Sequence, residues 1–217
     1  MARKFGLLGT ITYDHINYEP GFSWQGVGGI LYQAAVFCAL GGEVYLYSNL
    51  GQQLASEMKR ITRNWSTLYD QGINLVPGPG NEVHLYYPPK GERVEILKSV
   101  VPPLKPESIL KDIHIHQFEM LMAVFNSGFE LRLEDWQRIV RNVSCPLWFD
   151  VHSLSLSQEL NVKRKYVPLV KAKAWIEGVT FIQANAKEAA SLLGHPHRQL
   201  TSEELLNFGQ KAFNLGT

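Results

Sequence analysis

Three groups of residues in this sequence have types and spacings that could do chemistry. Asp14 follows the apolar run that begins at Phe5, and Gly26-Val-Gly-Gly29 then leads into an alanine-containing apolar stretch. A carboxylate accepts hydrogen bonds from hydroxyl groups, and glycines at a helix start leave backbone N–H groups open to a polar or anionic ligand. Asp150 and His152 follow the run Leu147-Trp-Phe149, and Asn185 follows Phe181-Ile-Gln-Ala184 with Glu188 one helical turn on. Each group follows a predicted strand, and in open α/β sheets ligands bind beyond the carboxyl ends of the strands. A Gly-Gly pair is also what a tight turn or close packing selects, so the spacing alone leaves both readings open.

Other reactive side chains have simpler readings. His114 and His116 would share one face of a strand predicted at 113–118, with Glu119 after it. That is the start of a metal cluster, but no fourth ligand is evident. Cys38 reads as core, and Cys145 has no predicted partner for nucleophilic chemistry. Ser153-Leu-Ser-Leu-Ser157 lacks the Gly-x-Ser-x-Gly elbow of a hydrolase. Lys163, Arg164, Lys165, Lys171 and Lys173 read as the solvated face of a basic helix.

The elements that must position these residues are legible as apolar runs of strand length alternating with helical patterns. Strands are predicted at 5–11, 44–48, 73–76, 113–118, 121–125, 147–149 and 181–184, and helices at 30–40, 53–65, 134–141, 162–176, 186–193 and 202–215. This order specifies a mostly parallel sheet flanked by helices. The helix at 30–40 is apolar nearly all round, which predicts burial on every side, and Gly41-Gly42 is placed to cap it. Around Pro88-Pro-Lys-Gly-Glu92, short runs at 83–87 and 93–97 predict a hairpin outside the main sheet. Thr201 and Glu204 have capping-box spacing for the last helix. That helix runs into Gly216-Thr217, where the alternation calls for another strand, so the chain reads as cut before its C-terminal part.

Composition narrows the class. The 217 residues are 45% hydrophobic and 19% charged, which suits one globular domain with a real core. A formal net charge of +1, with both signs interspersed, offers no footprint for nucleic acid. No apolar run reaches the roughly 18 residues of a membrane span, and the opening segment is too short for a signal peptide. Two cysteines do not make a disulfide framework, so the expectation is a cytoplasmic protein without membrane or nucleic-acid partners.

Four blocks resemble the ribokinase-like (PfkB) family of carbohydrate kinases across essentially the whole chain: Leu8-Gly-Thr-Ile-Thr-Tyr-Asp14-His-Ile, Gly28-Gly29 with the helix running to Leu40-Gly41 and Ser48-Asn-Leu-Gly51, Phe149-Asp150-Val-His-Ser153, and Asn185-Ala-Lys-Glu188-Ala. The resemblance implies a ribokinase-like α/β fold over 1–217 with a small β-sheet lid, formed by segments at about 13–26 and 80–104. It implies transfer of the γ-phosphoryl group of ATP, with Mg²⁺, to a hydroxyl of a sugar or related polyol. Asp14, Gly28 and Gly29 would bind that substrate, together with Gln33, which stands where many members have Asn. Asn185 and Glu188 would lie on the phosphate and Mg²⁺ side, with Asp150 and His152 as further candidates, since the Asn and Arg common after this Asp are here His152 and Leu154. The resemblance also allows a homodimer paired through the lid.

One family feature is absent. The catalytic base is an aspartate in a Gly-x-Gly-Asp helix start, and no such segment occurs between residues 1 and 217. The base and most of the adenine pocket are therefore expected beyond Thr217, which would make this chain the N-terminal two thirds of a kinase, inactive by itself. The alternative is a non-catalytic sugar- or nucleoside-binding protein derived from the same fold. A Rossmann dinucleotide site fits less well because Gly26-Val-Gly-Gly29 lacks the third fingerprint glycine, and no Gly-x-x-x-x-Gly-Lys-Ser/Thr loop is present.

Overall fold

The computed structural model describes residues 2–216. Strands β1 (Lys4–Gly9), β4 (Glu43–Gly51), β5 (Leu68–Val76), β8 (Met120–Val124), β9 (Leu147–Asp150) and β10 (Phe181–Gln183) form a wholly parallel sheet in the order β10-β9-β8-β1-β4-β5. Because successive strand residues point to opposite faces, Leu7 and Leu8 of β1 serve two cores. Leu7 packs with Ile30, Leu31, Ala34, Leu46 and Met58, under helices α1 (Leu31–Ala39) and α2 (Ala55–Thr62). Leu8 packs with Tyr47, Phe125, Trp136, Phe149 and Trp175, under α3 (Glu107–His116), α4 (Leu133–Asn142) and α5 (Ala172–Ile176). Helices α6 (Ala186–Leu192) and α7 (Ser202–Gly216) follow β10. Strand order reverses between β8 and β1, so the switch point, where open α/β sheets take their ligands, lies beyond Gly9 and Val124, where β1 and β8 end.

A second sheet is built from β2 (Thr12–Tyr18), β3 (Phe22–Val27), β6 (Asn81–Tyr87) and β7 (Val94–Ser99), ordered β3-β2-β6-β7. Its outer pairs are antiparallel hairpins, and the central pair, β2 with β6, is parallel. The predicted hairpin is thus β6–β7. Asp14, expected at the end of the first strand, lies instead within β2, because β1 stops at Gly9 and the chain turns into the smaller sheet at Thr12.

Local signals at helix ends are met. Gly41 takes φ +80° after α1, and at the start of α7 the Glu204 N–H donates to Thr201 Oγ1 (3.2 Å) while the Thr201 N–H donates to Glu204 Oε2 (2.9 Å). Other expectations fail. The predicted strand at 113–118 is the end of α3: Ile109 and Ile113, four apart, are buried, whereas Ile115 is exposed. Residues two apart on a helix do not share a face, so His114 and His116 form no metal pair, and His116 packs against Tyr45 at 4.2 Å between ring centroids. The basic helix at 162–176 shrinks to α5, since Pro168 cannot continue a helix. Helix α1 is not buried all round, because it packs on the sheet through Leu31 and Ala34 and leaves Tyr32 52%, Val36 57% and Leu40 78% exposed.

Arg164 is not a solvated lysine-like residue but the tie between the two sheets. Its guanidinium, with 0% side-chain exposure, pairs with Glu95 of β7 at 3.0 Å. Its remaining donors reach the carbonyls of Ser157 (2.9 Å), Ser127 (3.0 Å) and Ser153 (3.2 Å). Ser127 and Ser153 lie just beyond β8 and β9, so the smaller sheet is fastened where the larger one ends. Removing Arg164 leaves Glu95 with the partly exposed Arg93, at 3.1 Å, as its remaining ion-pair partner, so the cost falls toward the lower end of the range for a broken buried pair, about 3–5 kcal/mol. Arg164→Met is therefore expected to lower unfolding free energy in urea by about that amount, and Arg164→Met with Glu95→Leu to recover a substantial part of it.

Candidate functional site

Two groups of residues stand around this switch point, as the two walls of a candidate crevice. On the first, Asp14 is buried, with its carboxylate accepting a 3.4 Å hydrogen bond from the Tyr32 hydroxyl of α1. Burial raises the Asp14 pKa above the ordinary carboxylate value, and Glu95 adds to this, while Thr12 and Tyr32 act against it by hydrogen bonding. The Tyr32 phenol is pushed up to about 12, by burial and by the adjoining carboxylate, so it remains a donor.

The glycine pair is required by close approach. A Cβ on Gly28 would run into the Asp14 carboxylate and come within 2.8 Å of the Tyr32 hydroxyl. Gly29 takes φ +66°, and a Cβ there would collide with the Thr10 carbonyl. The Gly28 N–H already donates to the Thr12 carbonyl (2.8 Å), and the Ile30 N–H to the Thr10 carbonyl (3.0 Å). The expectation that both glycine N–H groups stand open thus holds at most for Gly29. Gln33 makes no hydrogen bond to Asp14 among the described residues, and its Oε1 is buried without a partner, which leaves an acceptor free.

The second wall gathers the distant candidates. Asp150 ends β9 and is buried, and its pKa is pushed up to about 6 by burial and then by Glu188, with His152 opposing the shift. Its side-chain partner is the Gln183 amide at 3.2 Å. His152 follows at φ +26°, its Nδ1 3.5 Å from Glu188 Oε1. Burial disfavours the imidazolium, but Glu188, Glu95 and Asp150 more than offset it, and the His152 pKa rises.

Asn185 and Glu188 are brought together by a capping box at the start of α6. The Asn185 side chain accepts from the Lys187 and Glu188 N–H groups, and Glu188 accepts from the Asn185 N–H and Nδ2, both at 2.7 Å. The Asn-x-x-Glu spacing is itself close to the capping signature, a reading open from the sequence. Both Glu188 oxygens are thus engaged within the cap, whereas Asp150 has the Gln183 amide and the His152 backbone N–H as partners.

Several residues missed at the sequence level join the walls. Glu95 acts on both Asp14 and His152. Thr10 donates to Glu130 Oε1 (2.7 Å), a buried carboxylate that also accepts from the Ser127 N–H (2.6 Å), its hydroxyl (2.9 Å) and the Gly128 N–H (2.9 Å). Asn126 reaches the Thr10 carbonyl at 3.4 Å, across the β1–β8 junction. Position after β8 was the available signal.

No protein-family model matches the chain, and no curated protein sequence does. Solved structures do match over nearly its whole length. A pyrophosphate-dependent kinase in the ribokinase family, in a sulfate complex, aligns over 98% of this chain and 70% of its own, at TM-score 0.76 and 15% identity. The ribokinase of Arabidopsis thaliana complexed with ribose and ATP aligns over 100% and 70%, at 0.71 and 16%. The ribokinase of Thermotoga maritima aligns over 100% and 70%, at 0.66 and 15%. Identity this low speaks to the fold.

The Asp150 shift has a stability consequence. A carboxyl with a folded pKa of about 6 against 3.8 ordinarily binds more protons native than unfolded between those values, so its contribution is lost as pH rises from about 4 to 6. In chelator at pH 7.5, Asp150→Asn should be more stable than the parent by about 1–3 kcal/mol, less whatever His152 loses. Urea titrations should show that gain vanishing by about pH 4.

Proposed function

From a ribokinase-like fold, we propose that this chain forms the acceptor wall and part of the phosphate wall of a kinase that transfers a phosphoryl group from ATP to a hydroxyl of a sugar or related polyol. The observation that carries the reading is the buried Asp14 carboxylate, held against Gly28 and Tyr32 beside the switch point of the parallel sheet. A carboxylate kept from water forms strong charge-assisted bonds with hydroxyl donors, and the smaller sheet that carries it would act as a lid.

In this reading Asp14 orients the acceptor by accepting from its hydroxyls, with the Gly29 N–H and Gln33 Oε1 completing the polar contacts. The second wall suits a hard divalent cation, because it offers oxygen donors and because Asp150 is a buried carboxylate whose charge burial and the neighbouring Glu188 disfavour. Asp150 would hold Mg²⁺ directly, and Glu188, through its capping box and His152, would position the wall. When bound, Mg²⁺ neutralises charge on the donor phosphates, which is the main requirement of phosphoryl transfer. His152, held between Glu188 and Asp150, would carry a proton and thus positive charge on the same wall. Removal of the acceptor proton falls to no residue assigned here, since residues 1–217 contain no Gly-x-Gly-Asp segment.

Two tests follow. Asp14→Asn keeps the shape and removes the charge, so calorimetry against a panel of pentoses, hexoses and inositols should show affinity falling by about 1.5–3 kcal/mol, roughly ten- to a hundredfold. Unchanged affinity would reject the acceptor assignment. Purified residues 1–217 should bind such a ligand yet show no enzyme-like turnover with ATP or with pyrophosphate. A longer protein carrying the base should turn over. Binding without turnover in that protein as well would favour the alternative, a sugar- or nucleoside-binding protein on a kinase fold.

A further inference from the structure

The face of the smaller sheet turned away from Asp14 carries an independent cluster. Along β2 the side chains alternate, so His15 points opposite to Asp14, and along β6 Glu82 and His84 point opposite to Val83. The parallel register pairs His15 directly with His84. The imidazole centroids are 4.3 Å apart, and both rings aim Nε2 at one carboxylate oxygen. His84 Nε2 lies 2.8 Å and His15 Nε2 3.4 Å from Glu82 Oε1. Tyr13, on the same face, sets its ring edge against His15 at 5.1 Å and limits its rotation.

We infer that His15, Glu82 and His84 form a binding site for a divalent first-row transition metal, with Zn²⁺ the best fit. Ligands about 2.0–2.2 Å from a tetrahedral zinc stand about 3.3 Å from one another, a value that falls between the two separations observed, and all three ligand atoms lie within 4.8 Å of one another. Two imidazole nitrogens and one carboxylate oxygen are a zinc donor set, and the nitrogens disfavour Mg²⁺ and Ca²⁺. The strand pairing fixes the backbone beneath all three side chains, so little ordering is needed on binding. Their side chains are 29%, 31% and 23% exposed, for His15, Glu82 and His84 respectively, which gives an ion access from solvent and leaves a fourth position for water. The occupied site would clip together β2 and β6, the one parallel pair in the smaller sheet.

The test uses the chain stripped with chelator and then titrated with Zn²⁺ or Co²⁺ alone. Calorimetry should give a saturable Zn²⁺ site that persists in Asp150→Asn, and Co²⁺ should produce the intense visible bands of four-coordination. Since the ion binds the folded form, Tm should rise with zinc. His84→Ala and His15→Ala should each weaken binding at least about tenfold, and Glu82→Gln should do likewise, whereas His195→Ala with His197→Ala should leave it unchanged. Should a variant fold poorly, imidazole ¹⁵N resonances of the parent decide: zinc must shift the Nε2 signals of His15 and His84. Absence of saturable binding, binding unaffected by His84→Ala, or shifts confined to other histidines would overturn the inference.

Discussion

A single buried guanidinium holds this architecture together. Arg164 cannot be solvated where it lies, so it must find a full complement of acceptors, and it does so by taking one from β7 and three from the loops around the β8 and β9 ends. One acceptor belongs to the smaller sheet and the others to the loops that follow strands of the larger one. Their convergence places the smaller sheet over the crevice, and it places Glu95 within electrostatic reach of both Asp14 and His152. The charge state of both walls therefore rests partly on a residue that contacts neither Asp14 nor Asp150.

Around this tie the crevice is shaped by close approach. Asp14, Tyr32 and Gly28 occupy one small volume in which a methyl group has no room. The result is a carboxylate stripped of water but supplied with a neutral donor, which is a better receptor for hydroxyls than an exposed carboxylate. The second wall has the opposite imbalance. Asp150 and Glu188 flank one histidine, while the nearby Glu95 is already paired with Arg164 and Arg93, and on our reading the two former carboxylates would make that wall receptive to a cation.

On our reading, strand β2 would serve two chemistries in one short segment. Its period of two sends Asp14 to the crevice and His15 to the outer face, where β6 supplies Glu82 and His84. A slip of one residue in the β2–β6 register would move each side chain to the other face. The register is held by aromatic contacts such as the Tyr18–Tyr87 stack at 4.5 Å, by the backbone ladder and, on our inference, by a metal.

Local rules were sufficient for much of this protein. Apolar runs at strand length, alternating with helical periods, specified the parallel sheet. Gly41 marked a helix end, and Thr201 with Glu204 marked a helix start, because these signals act over a few residues. Four sequence blocks pointed to Asp14, Gly28, Gly29, Asp150, His152, Asn185 and Glu188, and folding sets these on two walls. Only the tertiary structure decided the rest. Ile113 and Ile115 alternate like a strand, yet α3 buries Ile109 and Ile113 together, since packing outweighs a weak local preference. Arg164 looks like surface from its basic neighbours, and its burial depends on Glu95, 69 residues away. His15 and His84 are likewise distant in sequence and meet only through the register of a parallel pair. Interactions of that kind leave no local trace, because the partner's position is set by the fold.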